Sequence, residues 1–341
     1  MVKKYTAMKL KGIAYLTLVL ILLIFYACNS SRKEAAVSPV KIIFDSDFGP
    51  DYDDVGALTI LHALADSGKA EILATIASNK YALVAPSMEV LNIFYGRPEI
   101  PIGSPKSKGV NNRCLQQWTD SLVARYPHTI DSTAQTQDAV ILYRKILASQ
   151  PDTSVVIVTV GFLTNLRDLL ISTSDSISPL TGHELVAKKV KKLVSMAGKF
   201  PEGMEYNVKE DSVASKYTFE NWPTKILFSG FEIGEKILTG IELVNSAVQN
   251  PAKDVFRISI PLSAEDKNGR MSWDETAVLV SVLGAEVGFT EQFGTIQVDN
   301  SGYNLWMKDS KGKHSFLVFE KTPEQIRKIV EQYMMHQAVK K

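Results

Sequence analysis

Residues 42–58 read IIFDSDFGPDYDDVGAL. An apolar run leads straight into Asp45, Asp47, Asp51, Asp53 and Asp54. The apolar opening reads as a buried strand. The residues from Asp53, DDVGALTILHALADSG, read as an amphipathic helix stopped at Gly68. Crowded carboxylates repel one another, so the turn between them costs energy unless a cation sits among the oxygens or water screens them.

Working outward, the same alternation continues. AEILATIASN, TSVVIVTVG, VKKLVSMAG and TKILFSG read as strands. LVAPSMEVLNIFYG, AVILYRKILASQ, LTNLRDLLIS, DSVASKYTFENW and MSWDETAVLVSVLG read as helices between and after them. Apolar strands alternating with helices predict an α/β fold, with a mostly parallel central sheet, Rossmann-like, covered by helices on both faces. The tail GTIQVDNSGYNLWMKDSKGKHSFLVFE predicts a C-terminal hairpin or two, followed by a last helix from Thr322. No linker interrupts the body, so residues 40–341 are read as one domain.

In open α/β sheets, ligands bind outside the carboxyl ends of the strands. Those ends carry Asp45 and Asp47, Ser78 and Asn79, Val160 and Gly161, and Met196; Glu205, Asn207 and Asp274 join them. Oxygen ligands in such number suit a hard divalent cation. An EF-hand does not fit, because Gly56 stands where the loop needs its final bidentate Glu. The opening Asp-x-Asp also resembles the first motif of haloacid-dehalogenase-like phosphatases. Phe48-Gly49 is wrong after the second Asp, however, and no acidic pair follows a later strand.

The chain most closely resembles the inosine–uridine-preferring nucleoside hydrolase family. That family opens with Asp-Thr-Asp-Pro-Gly-x-Asp-Asp; here the segment is DSDFGPDYDD, two residues longer. TIASN, VTVGFLTNL, VSMAG, EYNVKEDSVA and SWDETAV follow in the family's order. Carried over residue by residue, the resemblance implies that Asp47, Asp54, Asp274 and the main-chain carbonyl of Val160 hold Ca2+. It implies that Asp53, Asn79, Glu205 and Asn207 hydrogen-bond ribose hydroxyls, that Met196 packs beneath the sugar, and that Asp47 is the general base toward the attacking water. Asp45 reads as support for the loop, and Asp51 as a solvated turn residue of the insertion. The implied reaction is Ca2+-dependent hydrolysis of a ribonucleoside, or a related riboside, to ribose and free base through an oxocarbenium-like sugar.

Some members of the family place a His before the C-terminal Asp, where it protonates the leaving base. Here that residue is Trp273, expected to stack on a base or sugar. His128, in the divergent stretch VNNRCLQQWTDSLVARYPHTI, is a second possible acid, and the stretch reads as a specificity lid. His62 reads as packing or surface, and His183, His314 and His336 as surface. A catalytically silent protein that binds Ca2+ and a nucleoside or sugar stays open as an alternative, as does the phosphatase.

Composition narrows the partners. The 341 residues carry a formal charge of +1, and no basic patch suits a nucleic-acid polymer. The family resemblance implies a small-molecule nucleoside or riboside as the partner, and a possible homo-oligomer. Lys3, Lys4, Lys9 and Lys11 precede an apolar run over residues 13–27, too short for the roughly 20 residues of a membrane span. This is the pattern of a signal peptide over residues 1–27. FYAC then resembles a lipobox, with Cys28 lipidated, a tether over 28–39, and a location at the bacterial cell envelope on the periplasmic side. Membrane contact is expected through that anchor alone. Cys114 would be the one cysteine left besides Cys28, so a Cys-based metal site is excluded.

Overall fold

Strand β1, Val40–Ser46, is buried along its length from Ile42. Ile42 and Phe44 enter one hydrophobic core and Ile43 the other, as the period of two requires for a strand covered on both sides. The computed structural model describes residues 38–106 and 108–338. The basic and apolar N-terminal run, Cys28 and most of the tether lie outside the described residues. Among the described residues no helix is long and apolar enough to cross a membrane.

β1 pairs in parallel with β2 (Ala70–Ala77) on one side. On the other it pairs in parallel with β5 (Val155–Thr159). Beyond β2 lie β3 (Ile102–Ser104) and β4 (Gln137–Asp138). Beyond β5 come β6 (Val190–Met196) and β8 (Lys225–Ser229). The chain therefore turns one way after β1 and the other way at β5, and the reversal opens a crevice at their carboxyl ends.

The sheet then goes further than the sequence suggests. β13 (His314–Phe319) pairs in parallel with β8, and β11 (Phe289–Val298) and β12 (Tyr303–Lys308) follow antiparallel. Short β7 (Glu202–Met204) closes the far edge against β12. The expected C-terminal hairpin is present as β11 and β12, and it is joined through β13 to one sheet of eleven strands among the described residues. The physical reason is burial: His314 to Leu317 are buried, and such a strand belongs inside a sheet. For the same reason His314, expected at the surface, is buried, and His336 is partly buried against Asp66 at 2.6 Å. β9 (Leu238–Thr239) and β10 (Arg270–Met271) form a separate two-stranded ribbon beside the crevice.

Helices Asp53–Asp66, Val84–Phe94, Trp273–Leu283 and Pro323–Met334 pack into the first core. Helices Ala139–Ser149, Thr164–Ile171, Gly182–Lys189 and Ser212–Asn221 pack into the second. The described residues from Pro39 onward form one compact unit. His62 is buried, bonded to Asn92 at 3.1 Å and stacked on Tyr95.

Candidate functional site

Past the last paired residues the ladder continues for one step on each side of β1. The Val160 N–H donates to the Asp45 carbonyl at 2.8 Å, and the Ser78 N–H to the Ser46 carbonyl at 2.9 Å. These bonds bring Asp47, Ser78 and Val160 side by side. Gly161 permits the approach: a Cβ there would lie 2.4 Å from both the Asp47 nitrogen and the Ser78 Oγ. Two helix starts then converge on the crevice. Asp53 and Asp54 open one helix; Asp274 and Glu275 lie in the first turn of the other. Helix N-termini favour anions, which offsets part of the cost of gathering these acids.

A cavity of about 230 Å³ lies above them, and its lining includes Asp47, Asp51, Asp53, Val160, Met196, Glu205, Asn207, Trp273 and Asp274. So the cavity brings together all the expected site residues except Asn79 and Asp54. Asp54 sits beneath, fully buried. Its Oδ1 accepts from the Ser46 hydroxyl and from the Phe48 N–H (3.2 Å), while Oδ2 has no hydrogen-bond partner. Phe48 takes a left-handed φ of +34° to make that contact, a cost that a non-glycine residue bears only where surroundings impose it.

Asn79 is placed otherwise than expected. Its Nδ2 donates to the carbonyls of Asp47 (3.1 Å) and Asn112 (2.8 Å), and its Oδ1 accepts from the N–H groups of Tyr81 (3.1 Å) and Asn112 (3.0 Å). Four bonds exhaust an amide side chain, and Asn79 is fully buried outside the cavity lining. It staples the 108–117 loop to the turn after β1 and has no group left for a ribose hydroxyl. Asn112 also donates to the Tyr206 hydroxyl at 2.9 Å. The rest of the expected lid is anchored: Cys114 and Trp118 are buried, and no residue from 110 to 130 is in the cavity lining. His128 bonds the Tyr126 carbonyl, and among the described lining residues there is no histidine.

Glu205 and Asn207 do reach the cavity. Glu205 caps a short helix by accepting from the N–H groups of Asn207 (2.8 Å), Val208 (3.1 Å) and Gly198 (3.1 Å). Asn207 donates to the Val160 carbonyl at 3.0 Å and lies 3.5 Å from the Met196 sulfur. Beneath the turn, Asp45 accepts from the Tyr143 hydroxyl (2.8 Å) and Asn165 (3.1 Å).

Electrostatically the site is acid-rich. Burial, and then the charges of Asp54 and Asp51, push the Asp47 carboxyl well above its usual range. Burial followed by neighbouring aspartates does the same to Asp54 and Asp274. Burial raises Asp45 and Glu205 to about 7 each. A cation at the centre reverses this logic by favouring every ionised form.

One cation is built in, and the sequence reading missed it. Arg270, on β10, donates Nε and Nη2 to the Asp53 Oδ1 (3.0 and 2.8 Å) and Nη2 also to Asp51. Its guanidinium lies 5.1 Å from the Tyr52 ring centroid and 5.0 Å from that of Trp273. The Asp53 Oδ2 accepts from the N–H groups of Trp273 (3.2 Å) and Asp274 (3.3 Å). Asp53 is therefore saturated by protein donors rather than open toward a ligand. Asp51, expected to be solvated, is an ion-pair partner. Trp273 has Arg270 over its ring and donates its indole N–H to the Phe231 carbonyl at 2.8 Å, so that ring surface is not free for a base.

The donor set fits a hard metal ion. Asp47, Asp274 and Val160 line the cavity, and the buried Asp54 Oδ2 has no hydrogen-bond partner. Fold and site together define a parallel α/β protein with an oxygen-rich, metal-capable site at its topological switch point. The model of the inosine-uridine preferring nucleoside hydrolase family matches residues 42–315, and the chain belongs to that family, whose members are N-glycosyl hydrolases. The phosphatase alternative is thereby overturned.

Similar solved structures carry the same fold. A plant nucleoside hydrolase is 20% identical, with a TM-score of 0.67 and coverage of 87% of this chain and 99% of that one. An inosine-guanosine nucleoside hydrolase is 17% identical, with a TM-score of 0.65 and coverage of 88% and 99%. A purine-preferring ribonucleoside hydrolase from Gardnerella vaginalis is 18% identical, with a TM-score of 0.66 and coverage of 86% and 98%. No curated protein matches.

Proposed function

We propose that this protein hydrolyses the N-glycosidic bond of a ribonucleoside, or a related riboside, with Ca2+ held by Asp47, Asp54, Asp274 and the Val160 carbonyl. The observation that carries the metal assignment is the orphaned Asp54 Oδ2, an acceptor in the protein interior that no protein donor satisfies. When bound, calcium supplies Lewis-acid activation of water and a hold on the sugar diol. Asp47 takes the proton of the attacking water at its carboxylate. Glu205 and Asn207 face the sugar hydroxyls, with Met196 below the ring. As the bond from the anomeric carbon to the base nitrogen breaks, its electron pair leaves with the base, and water oxygen bonds to carbon. The surrounding carboxylates stabilise positive charge on the sugar during that step.

Among the described lining residues there is no histidine to protonate the leaving base. Tyr206 is partly exposed there, but burial pushes its hydroxyl up to about 12, making it a weak proton donor at neutral pH. Substrates with good leaving groups are therefore favoured. A second reading, a silent Ca2+-dependent nucleoside- or sugar-binding protein, draws on the absence of a histidine from the described lining and on Arg270 closing off Asp53. A reducing-sugar assay against a nucleoside panel and p-nitrophenyl riboside, with and without chelator, separates the two. Calcium-dependent release of ribose supports the hydrolase; binding without release from any substrate supports the silent protein. The N-terminal pattern adds a lipid anchor at Cys28 and a periplasmic location, which Cys28→Ser tests by accumulation of unprocessed precursor.

A further inference from the structure

The acidic turn satisfies its charges in two different ways, and the division falls along chemical lines. On one side, Asp51 and Asp53 are neutralised from within. Arg270 bonds both, approaches the Asp266 Oδ1 at 3.9 Å, and is clasped between Tyr52 and Trp273. Tyr52 in turn donates to the Asp266 Oδ2 at 2.8 Å, so the arginine's cage is itself braced. The Arg270 side chain is only 11% exposed. On the other side, the Asp54 Oδ2 has no donor, and Asp274 is surrounded by acids.

Geometry alone puts the tightest set of oxygens on the wrong side of that division. The carboxylates within 4.8 Å of one another are Asp51, Asp53 and Asp274, a spacing that suits a divalent ion's 2.3–2.6 Å oxygen shell. Two of the three already belong to Arg270. A guanidinium with its Nε and Nη2 on Asp53 Oδ1 and Nη2 on Asp51 occupies the place where a cation bridging these carboxylates would sit.

We infer that Arg270 is a resident cation standing in for a second metal ion, so that it limits this site to one divalent cation and fixes that ion on Asp47, Asp54 and Asp274. This inference rests on the metal reading above. Removing the guanidinium leaves five clustered aspartates with one ion among them, and a second divalent ion is then drawn to Asp51, Asp53 and Asp274. Lys at this position loses the planar fork but keeps a positive charge beside Asp51 and Asp53, and that charge is expected to keep the second ion out.

The test is Ca2+ stoichiometry by isothermal titration and equilibrium dialysis on the folded chain, with circular dichroism as the check on folding. Wild type is expected to bind one Ca2+, Arg270→Gln two, and Arg270→Lys one. A folded Arg270→Gln that binds one ion with unchanged affinity overturns the inference. Asp51→Asn provides a second arm that leaves Arg270 and its Asp53 pair in place. Because Asp51 is engaged by Arg270 rather than by the ion, its loss should change wild-type Ca2+ affinity less than fivefold. A loss of fivefold or more would make Asp51 part of the metal's shell and overturn the assignment. A wild-type chain that binds no Ca2+ sinks the underlying metal reading, and that result is visible before any variant is compared.

Discussion

Replacing Asn79 with Ala separates two roles that sequence alone could not tell apart. As a ribose ligand, Asn79 would be expendable for folding, and its loss would raise KM. In the structure it makes four hydrogen bonds, two given and two accepted, across 32 and 33 residues of chain and to Tyr81. Each net bond is worth about 1 kcal/mol, which bounds the loss near 4 kcal/mol. The freed loop groups find water, while the Asp47 carbonyl and Tyr81 N–H are less able to, so a loss of roughly 2–3 kcal/mol is expected. For a domain of this size that lowers Tm by about 4–10 °C. Urea denaturation supplies the free energy, and amide hydrogen exchange locates it. Exchange should rise over residues 108–117 and stay unchanged in the β5–β6 core. Because the Asp47 backbone is anchored there, Ca2+ affinity should also fall several-fold. An Asn79→Ala protein with wild-type stability, unaltered exchange and a raised KM would refute the staple and restore the ribose role.

Asp54→Asn should abolish Ca2+ binding, seen by calorimetry, since it removes the charge of a fully buried carboxylate whose Oδ2 has no hydrogen-bond partner; retained affinity would move the ion elsewhere. Asp47→Ala should cut kcat on p-nitrophenyl riboside by several orders of magnitude, and wild type should cleave that substrate faster than inosine or uridine, as steady-state kinetics will show. Without metal, Asp45 and Glu205 titrate near 7, against unfolded values of about 3.9 and 4.3. The folded state then holds protons that the unfolded chain has released. Stability of the chelated protein should therefore fall as pH rises from about 4 to 7, and saturating Ca2+ should flatten that slope in urea titrations followed at each pH.

Much of this was legible from local pattern. The strands β1, β2, β5, β6 and β8 announce themselves as apolar runs, and their polar ends mark the crevice. What sequence could not supply was pairing at a distance. Arg270 stands 217 residues from Asp53 and 219 from Asp51, and nothing in NGRMSWD says which acids it meets. The family resemblance of TIASN assigns Asn79 to the ribose; its four bonds depend on a loop that begins some 30 residues later. Asp51 reads as solvated because it lies in the two-residue insertion without a family counterpart, and its partner Arg270 is remote in sequence. His314 looked like surface because the charged run before it, KDSKGK, hides the start of a buried strand.

The returning tail has a consequence for how this protein tolerates change. β7 ends at Met204, the residue before Glu205, and its edge is held by β12. Asn304 exchanges two hydrogen bonds with Lys199 (2.8 and 2.7 Å), and the Trp306 N–H donates to the Pro201 carbonyl at 2.8 Å. One wall of the pocket is therefore hung from the last fifth of the chain. Deletions, affinity tags spliced into the 299–302 turn, or permuted termini in that hairpin would be felt at the Glu205 and Asn207 wall of the pocket. Family relatives that differ in this hairpin would be expected to differ in the shape of that wall, even with every carboxylate unchanged.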